Sequence, residues 1–200
     1  MKHLFFILIF PAYIFGQIPD ETSQIKISYS MEYKKVPFKM KMFKKHLPTN
    51  LTEYHSKLGL RNEIELNTKI FGEEIINSTT MITSDQFSKS WIKTRTIVND
   101  SLVEDQLIER IEPKEKKLNN IELGKSRKVI LGYNCVSFSL EDDSTSTKGF
   151  LTFEINGRDE FKNHGLPLEF TTESKEENLV VITKAVKILV EPLDSSLFLF

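Results

Sequence analysis

Few residues of this sequence have the types and spacing of a known catalytic or metal-binding motif. Three histidines follow the N-terminal segment, His46, His55 and His164, and no two of them have the i, i+4 spacing of the H-E-x-x-H zinc motif. The eight glycines form no phosphate-binding loop, and no G-x-S-x-G nucleophile elbow occurs. We therefore expect loop or strand-edge histidines, no catalytic residue, no metal and no cofactor. The sequence predicts a protein that is not an enzyme.

The acidic cluster Glu141, Asp142 and Asp143 is followed by Ser144 and Thr145, and these side chains could together offer oxygen ligands to calcium. The cluster lacks the alternating spacing and the glycine of a calcium loop. It also lies where a hairpin turn is expected, so we interpret it as a solvated turn.

Cys135 is the single cysteine, which excludes an internal disulfide and a cysteine-based zinc site. Because Tyr133 and Phe138 flank it, we interpret Cys135 as a small buried residue of a core strand. A redox or intermolecular-disulfide role is the alternative.

The composition favours one domain with a sizeable core and gives no sign of a nucleic-acid partner. The chain has 200 residues, of which 40% are hydrophobic. Its 27 basic and 28 acidic residues leave a formal net charge of -1. A nucleic-acid-binding domain usually has a basic excess.

The N-terminus predicts export. Lys2 precedes an apolar run over residues 4–15, which would reach about 18 Å as a helix, whereas a membrane core is ~30 Å thick. Gly16 ends the run, and polar sequence follows. We predict a signal peptide over residues 1–16 and a single β-rich domain over 17–200, periplasmic or secreted. No transmembrane segment is expected in the mature chain, and no lipid anchor, because the only cysteine is Cys135.

The chain that follows has a dominant period of two, which is typical of half-buried strands. Residues 25–33 alternate strictly, and Phe38, Met40 and Met42 alternate with lysines after Pro37. The other strands predicted in this half lie at 57–66, 79–83 and 91–98, the last followed by a turn at 99–101. Residues 102–118 carry apolar side chains at approximate helical spacing, which predicts a helix; a charged strand ending at Pro113 is the alternative.

In the C-terminal half, residues 128–140 predict a strand interrupted by Gly132, followed by a long hairpin loop over 141–149 and a return strand over 150–155. A further strand begins at Leu166. Residues 179–190 are the longest apolar strand. We expect Val180, Ile182, Val186, Ile188 and Val190 on one of its faces, and a central place in the sheet because the other face is also partly apolar.

These patterns predict a mainly β protein: a single curved antiparallel sheet or half-open β-barrel with one or two short helices. Three stretches also carry a resemblance, ILGYNC at 130–135, GLPLE at 165–169 and DSSLF at 194–198. Together they resemble an uncharacterised family of exported bacterial proteins related to the GLPGLI proteins. The resemblance implies an envelope protein with a fold similar to the lipoprotein-carrier half-barrels, and it carries over no catalytic residue.

Glycine and proline positions in these stretches predict shape. Gly132 would suit a bulge or a bend, and Gly165 with Pro167 would fix a turn into the next strand.

The functional hypothesis is an exported, non-enzymatic envelope protein that binds a lipid or another apolar ligand on the concave face of the sheet. The residues expected to line that site are Trp91, Tyr133, Phe138, Phe153 and Leu166. The alternative is a structural or assembly protein of the envelope, with an envelope protein as its partner at an exposed sheet edge.

Overall fold

The computed structural model describes residues 24–56, 58–84, 89–111, 121–155 and 165–199. Within these residues eleven strands form one antiparallel sheet, so the prediction of a mainly β fold is confirmed. The predicted signal peptide lies outside the described residues. The strands are β1 Ile25–Lys35, β2 Asn50–Ser56, β3 Gly59–Ile70, β4 Glu73–Ser84, β5 Lys89–Val98, β6 Ser101–Ile111, β7 Glu122–Ile130, β8 Tyr133–Glu141, β9 Thr145–Thr152, β10 Leu166–Ser174 and β11 Leu179–Val190, with 3-10 helices at Phe38–His46 and Ser195–Phe198.

The strand order is β6-β5-β4-β3-β2-β1-β11-β10-β9-β8-β7. Strands next to each other in sequence are therefore neighbours in space within each half of the chain. The two halves join where β1 pairs with β11, which places β11 in the interior of the sheet as predicted. Strands β6 and β7 are the two edges and do not pair with each other, so the sheet is not closed into a barrel.

One face of the sheet, which we call the core face, carries the main hydrophobic cluster. Alternate residues of β1 define it, and all of them are buried: Ile25, Ile27, Tyr29, Met31 and Tyr33. The Tyr29 ring packs edge-on against Phe170 of β10, with ring centroids 6.2 Å apart. The cluster continues through β8, β9, β10 and β11 and includes Met40 of the first 3-10 helix and Leu47, which follows that helix.

The prediction of a second strand at Phe38, Met40 and Met42 is wrong, because these residues lie in the first 3-10 helix. The Met40 amide donates to the Pro37 carbonyl at 2.8 Å, which is a helical turn. Alternate residues do not share a face in a helix of three residues per turn. Met40 is therefore buried, whereas Phe38 and Met42 are exposed.

The predicted helix over 102–118 is also wrong within the described residues, since Ser101–Ile111 is strand β6. Asn99 and Asp100 both have positive φ in the turn before it, the geometry that joins two strands tightly. Charged side chains of β6 form ion pairs with those of the neighbouring strand β5, for example Glu109 with Lys89 at 2.6 Å. The strand alternative was the correct one. Residues 112–118 lie outside the described part of the chain.

The prediction of a bulge or bend at Gly132 within one strand is wrong. Gly132 lies in the turn of a hairpin between β7 and β8. Leu131 and Gly132 both have positive φ, 52° and 88°. The following connection is shorter than expected, because β9 already begins at Thr145. The turn-forming residues at 156–165 predict a further loop, of which residues 156–164 lie outside the described part of the chain.

The prediction that Val180, Ile182, Val186, Ile188 and Val190 share one face of β11 is wrong. Leu179, Val181, Thr183 and Ala185 are buried, whereas Val186 and Val190 are each 55% exposed. The pairing with β1 decides this, since Tyr29 opposes Ala185 and Met31 opposes Thr183. A register shift between Ser28 and Tyr29 then brings Ile188 opposite Ile27, partly buried against the core.

The DSSLF stretch forms the second 3-10 helix. The Asp194 carboxylate accepts a hydrogen bond from the Ser196 amide at 2.9 Å, and Phe198 is buried. Arg61 of β3 donates to the Leu197 carbonyl at 2.6 Å. The C-terminal segment is thereby tied to the N-terminal half of the sheet.

Candidate functional site

Four of the five predicted ligand-binding residues lie together in the C-terminal half of the sheet. Phe138 and Leu166 are buried members of the core cluster, and Tyr133 and Phe153 are half-buried against it. The structure thus gives Phe138 and Leu166 a packing role, and leaves Tyr133 and Phe153 as the more accessible pair.

Trp91 lies away from these four residues, on β5. Its neighbour Ile92 opposes Met81 on the core face, so Trp91 is on the opposite face, across from Ile82 and Glu109. The indole Nε1 donates to the Glu109 carboxylate at 3.2 Å. A pocket lined by all five residues remains a prediction. In the structure, Trp91 lies outside the group that the other four residues form.

An open groove of about 960 Å³ lies beside β3 and β4 in the N-terminal half. None of the five predicted residues is in its described wall. Most of the wall is polar: it comprises Lys45, Leu47, Thr49, Asn50, Thr52, Arg61, Glu63, Ile64, Glu65, Leu66, Asn67, Ser78, Thr79, Thr80, Lys93, Arg95 and Leu199.

The first 3-10 helix presents large apolar side chains to solvent. Phe38 is 84% exposed, Met42 83% and Phe43 46%, whereas Met40 is 3% exposed and holds the helix against the core. Several apolar side chains this exposed on one short helix are typical of an interaction surface.

Lysines surround these apolar side chains. Residues 34–45 contain six lysines and no acidic residue: Lys34, Lys35, Lys39, Lys41, Lys44 and Lys45. The Lys41 ammonium lies 5.6 Å from the centre of the Phe38 ring. Lys34 forms an exposed ion pair with Glu32 at 2.5 Å. We call Phe38, Met42, Phe43 and the six lysines the lysine–aromatic surface.

The lysine–aromatic surface was missed from the sequence because the alternation of lysine with Phe38, Met40 and Met42 was interpreted as a strand. In a strand those three residues would share a buried face. The absence of acidic residues between Glu32 and Glu53 was the available signal.

His55 is neither in a loop nor at a sheet edge, contrary to the prediction. It lies on β2, 3% exposed, with its Nε2 3.1 Å from the carboxylate of the equally buried Glu53. His46 ends the first 3-10 helix and hydrogen-bonds to the Thr68 hydroxyl. His164 lies outside the described residues.

Cys135 is a buried free thiol on β8, in agreement with its interpretation as a core residue. Burial raises the pKa of the thiol, which disfavours the reactive thiolate.

The acidic cluster forms the turn between β8 and β9. Partial burial raises the pKa of Asp142, but hydrogen bonds from Thr145 and Ser144 outweigh it, so the pKa lies below its usual value. The carboxylate accepts from the Thr145 amide at 2.6 Å and from the Ser144 amide at 2.8 Å. Its oxygens thus stabilise the turn. Across the described ranges, no group of three His, Cys, Asp or Glu side chains is placed to hold a metal ion.

No helix in the described part of the chain has the length and apolar character needed to cross a membrane.

No protein-family model matches the sequence, and no curated protein matches it. Among solved structures, PNGF-II is 11% identical with a TM-score of 0.47, over 88% of this chain and 29% of that one. A DUF1849 protein from Brucella abortus is 9% identical with a TM-score of 0.45, over 86% of this chain and 100% of that one. An outer membrane lipoprotein-sorting protein domain from Vibrio parahaemolyticus is 8% identical with a TM-score of 0.27, over 90% and 91% of the two chains.

These neighbours include a lipoprotein-sorting protein domain and a domain of unknown function. At such low identities and TM-scores, we draw no functional argument from them.

Proposed function

We propose that this chain is an exported, non-enzymatic envelope protein that binds an anionic lipid surface through the lysine–aromatic surface. The observation that carries the proposal is the exposure of Phe38, Met42 and Phe43 among six lysines. Export rests on the N-terminal segment, and membership in a GLPGLI-related family rests on the three sequence stretches. An acyl chain bound beside Tyr133 and Phe153 belongs to the same hypothesis.

The charge and the apolar groups have complementary effects at a membrane. A basic residue near an anionic surface contributes about 1 kcal/mol, and this attraction falls off within a Debye length. Insertion of an exposed Phe or Met side chain into the interface adds roughly 1.5–3 kcal/mol when it is fully buried. The rest of the chain supplies no basic excess, since the net charge of the protein is -1. The attraction is therefore local to this surface.

Vesicle co-sedimentation tests the proposal. We expect the purified protein to bind vesicles of phosphatidylglycerol and phosphatidylcholine, to bind much less to pure phosphatidylcholine, and to be released by high salt. The variant Phe38→Ser/Met42→Ser/Phe43→Ser should lose binding at every salt concentration. Lys39→Gln/Lys41→Gln/Lys44→Gln should lose the preference for the anionic lipid.

Two matched variants test whether vesicle binding is specific to the lysine–aromatic surface. Phe71 is fully exposed in the turn between β3 and β4, and Lys148 and Lys187 are exposed on β9 and β11. Phe71→Ser and Lys148→Gln/Lys187→Gln should bind vesicles like the unchanged protein. Equal binding by the Phe38/Met42/Phe43 variant would refute the proposal.

The exposed sheet edges favour a second candidate, assembly with further copies of this chain. All described side chains of β6 and most of those of β7 are exposed, and they include Leu102, Val103, Leu107, Leu123 and Val129. Residues 101–111 have three acidic and one basic side chain, whereas residues 122–130 have three basic and one acidic. The two edges therefore carry opposite net charge, although Asp105, Glu109 and Lys128 already form ion pairs within the sheet.

Sedimentation velocity tests this candidate. Pairing of β6 with β7 of another copy predicts concentration-dependent oligomers that Lys125→Glu/Arg127→Glu dissociates and that Glu104→Lys/Asp105→Lys in the same chain restores. A monomer at all concentrations would exclude it.

A further inference from the structure

A second group of side chains, on the core face of β2, β3 and β4, is buried and polar and plays no part in the lysine–aromatic surface. Glu53 of β2 opposes Asn62 of β3, and Asn62 opposes Met81 of β4. Thr79 and Thr83 flank Met81 on the same face of β4. Asn62 is therefore the diagonal neighbour of both threonines. Diagonal neighbours in an antiparallel pair of strands lie about 7–8 Å apart, a distance that longer side chains can span.

The polar atoms of these three side chains are buried and lack hydrogen-bond partners within the described part of the chain. They are Asn62 Oδ1 and Nδ2, Thr79 Oγ1 and Thr83 Oγ1. Asn62 is 3% exposed and Thr79 is 5% exposed. Buried polar groups in native proteins nearly always have partners, and an orphaned group destabilises the fold. Four such atoms on one face therefore need a partner that the described residues do not supply, either ordered water or a ligand that displaces it.

We propose that Asn62, Thr79 and Thr83 form a binding site for an uncharged ligand that carries a carboxamide or peptide group. The Asn62 amide offers a donor and an acceptor, which matches the acceptor and donor of another amide. Each threonine hydroxyl can donate or accept. None of the three is charged, and the adjacent Glu53 carboxylate already has His55 as its partner. A charged group placed among these three side chains would lose its hydration without gaining a counter-charge from them.

The site adjoins the groove beside β3 and β4 at Thr79, whereas Asn62 and Thr83 are not in the described wall of that groove. Ile64 and Thr79 oppose each other on the core face, and both lie in the wall of this groove. Leu60, Met81 and Ile92 surround the polar atoms on the same face. These three side chains give the polar atoms an apolar surround, as is typical of small-molecule sites, although the wall of the groove itself is mostly polar.

Titration with propionamide, followed by the side-chain amide NMR signals of Asn62, tests the site in the purified protein. We expect a saturable shift with propionamide and none with propionate, which has the same shape but a charge. Thr79→Val/Thr83→Val should weaken propionamide binding about tenfold or more, the factor that corresponds to 1.4 kcal/mol. Unmoved Asn62 signals would overturn the proposal, whether or not the protein binds vesicles.

Thermal unfolding of the same variants gives an independent test. If the two hydroxyls have no partner in the free protein, Thr79→Val/Thr83→Val should unfold at or above the temperature of the unchanged protein. The matched control is Thr147→Val, because the buried Thr147 hydroxyl has a partner in Thr172 at 3.2 Å. That control should unfold at a lower temperature. An equal loss in the Thr79/Thr83 variant would show that these hydroxyls are bonded within the protein, and would overturn the site.

Discussion

His55 Nε2 lies 3.1 Å from Glu53 Oε2, and both side chains are buried on the core face of β2. They are two residues apart on one strand, which points their side chains in the same direction. Tyr29 lies next to Glu53: burial, and then the charge of Glu53, raise the pKa of its hydroxyl well above the usual value. Each member of the buried Glu53–His55 pair therefore has the other as a polar partner.

Removing one member of this pair should destabilise the protein strongly. Glu53→Ala should lower the free energy of unfolding by about 3–5 kcal/mol, because it leaves His55 buried without this partner. Urea unfolding measures the loss. Glu32→Ala, which breaks the exposed pair with Lys34, is the control and should leave the unfolding midpoint unchanged. A similar midpoint for both variants would show that the buried pair contributes nothing.

The Tyr29 hydroxyl connects β1 to β10 across β11, since it donates to the Pro167 carbonyl at 3.0 Å. The register shift between Pro167 and Glu169 interrupts the ladder at this point. Tyr29→Phe should cost about 1–3 kcal/mol, because the buried carbonyl loses its donor while the ring packing remains. Chemical denaturation checks the value. An unchanged stability would mean that another donor replaces the hydroxyl.

Stability should fall in alkaline solution because of the tyrosines. Burial, a hydrogen bond with Glu63 and the charge of Glu63 together raise the pKa of Tyr54 to about 12. Burial also raises the pKa of Tyr33. A raised pKa in the folded state means that the unfolded chain ionises first, so the stabilisation is complete below pH 10.0 and is lost as pH rises towards 12.

Urea unfolding at several alkaline pH values tests this, with Tyr54→Phe as the comparison. That variant should lose less stability over the same pH interval. Phenolate absorbance of the folded protein that titrates entirely near the ordinary pKa of 10.0 would contradict the prediction.

Gly149 is required by close backbone packing between β9 and β10. A Cβ at this position would overlap the Glu169 carbonyl oxygen and lie 2.6 Å from Phe170 Cα. Gly149→Ala should therefore destabilise the protein by about 3 kcal/mol, since backbone atoms must move. Gly132→Ala is the comparison: no atom lies within 4 Å of its Cβ position, so only its φ of +88° opposes the change, at about 1 kcal/mol. Thermal unfolding that ranks the two variants in the reverse order would refute this account.

Much of the strand content was predictable from local alternation, but the candidate site was not. Residues 25–33 alternate because each side chain on β1 faces either the core or the other side. At Phe38–His46 lysines alternate with apolar residues in the same way, but the segment is a helix. Exposed lysines are compatible with either structure, so the alternation did not distinguish the two. At 102–111 the apolar spacing predicted a helix, but the segment pairs with β5 and is therefore a strand.

The amino-acid sequence by itself determined that this is a mainly β chain with β11 as an interior strand, because those properties depend on residues a few positions apart. Only the tertiary structure decided which residues meet across the sheet. Glu53, Asn62 and Met81 become neighbours through the register of three strands, and Phe38 becomes exposed because Met40 occupies the core. Register and burial are set by long-range pairing, in which a shift of one residue exchanges the two faces of a strand.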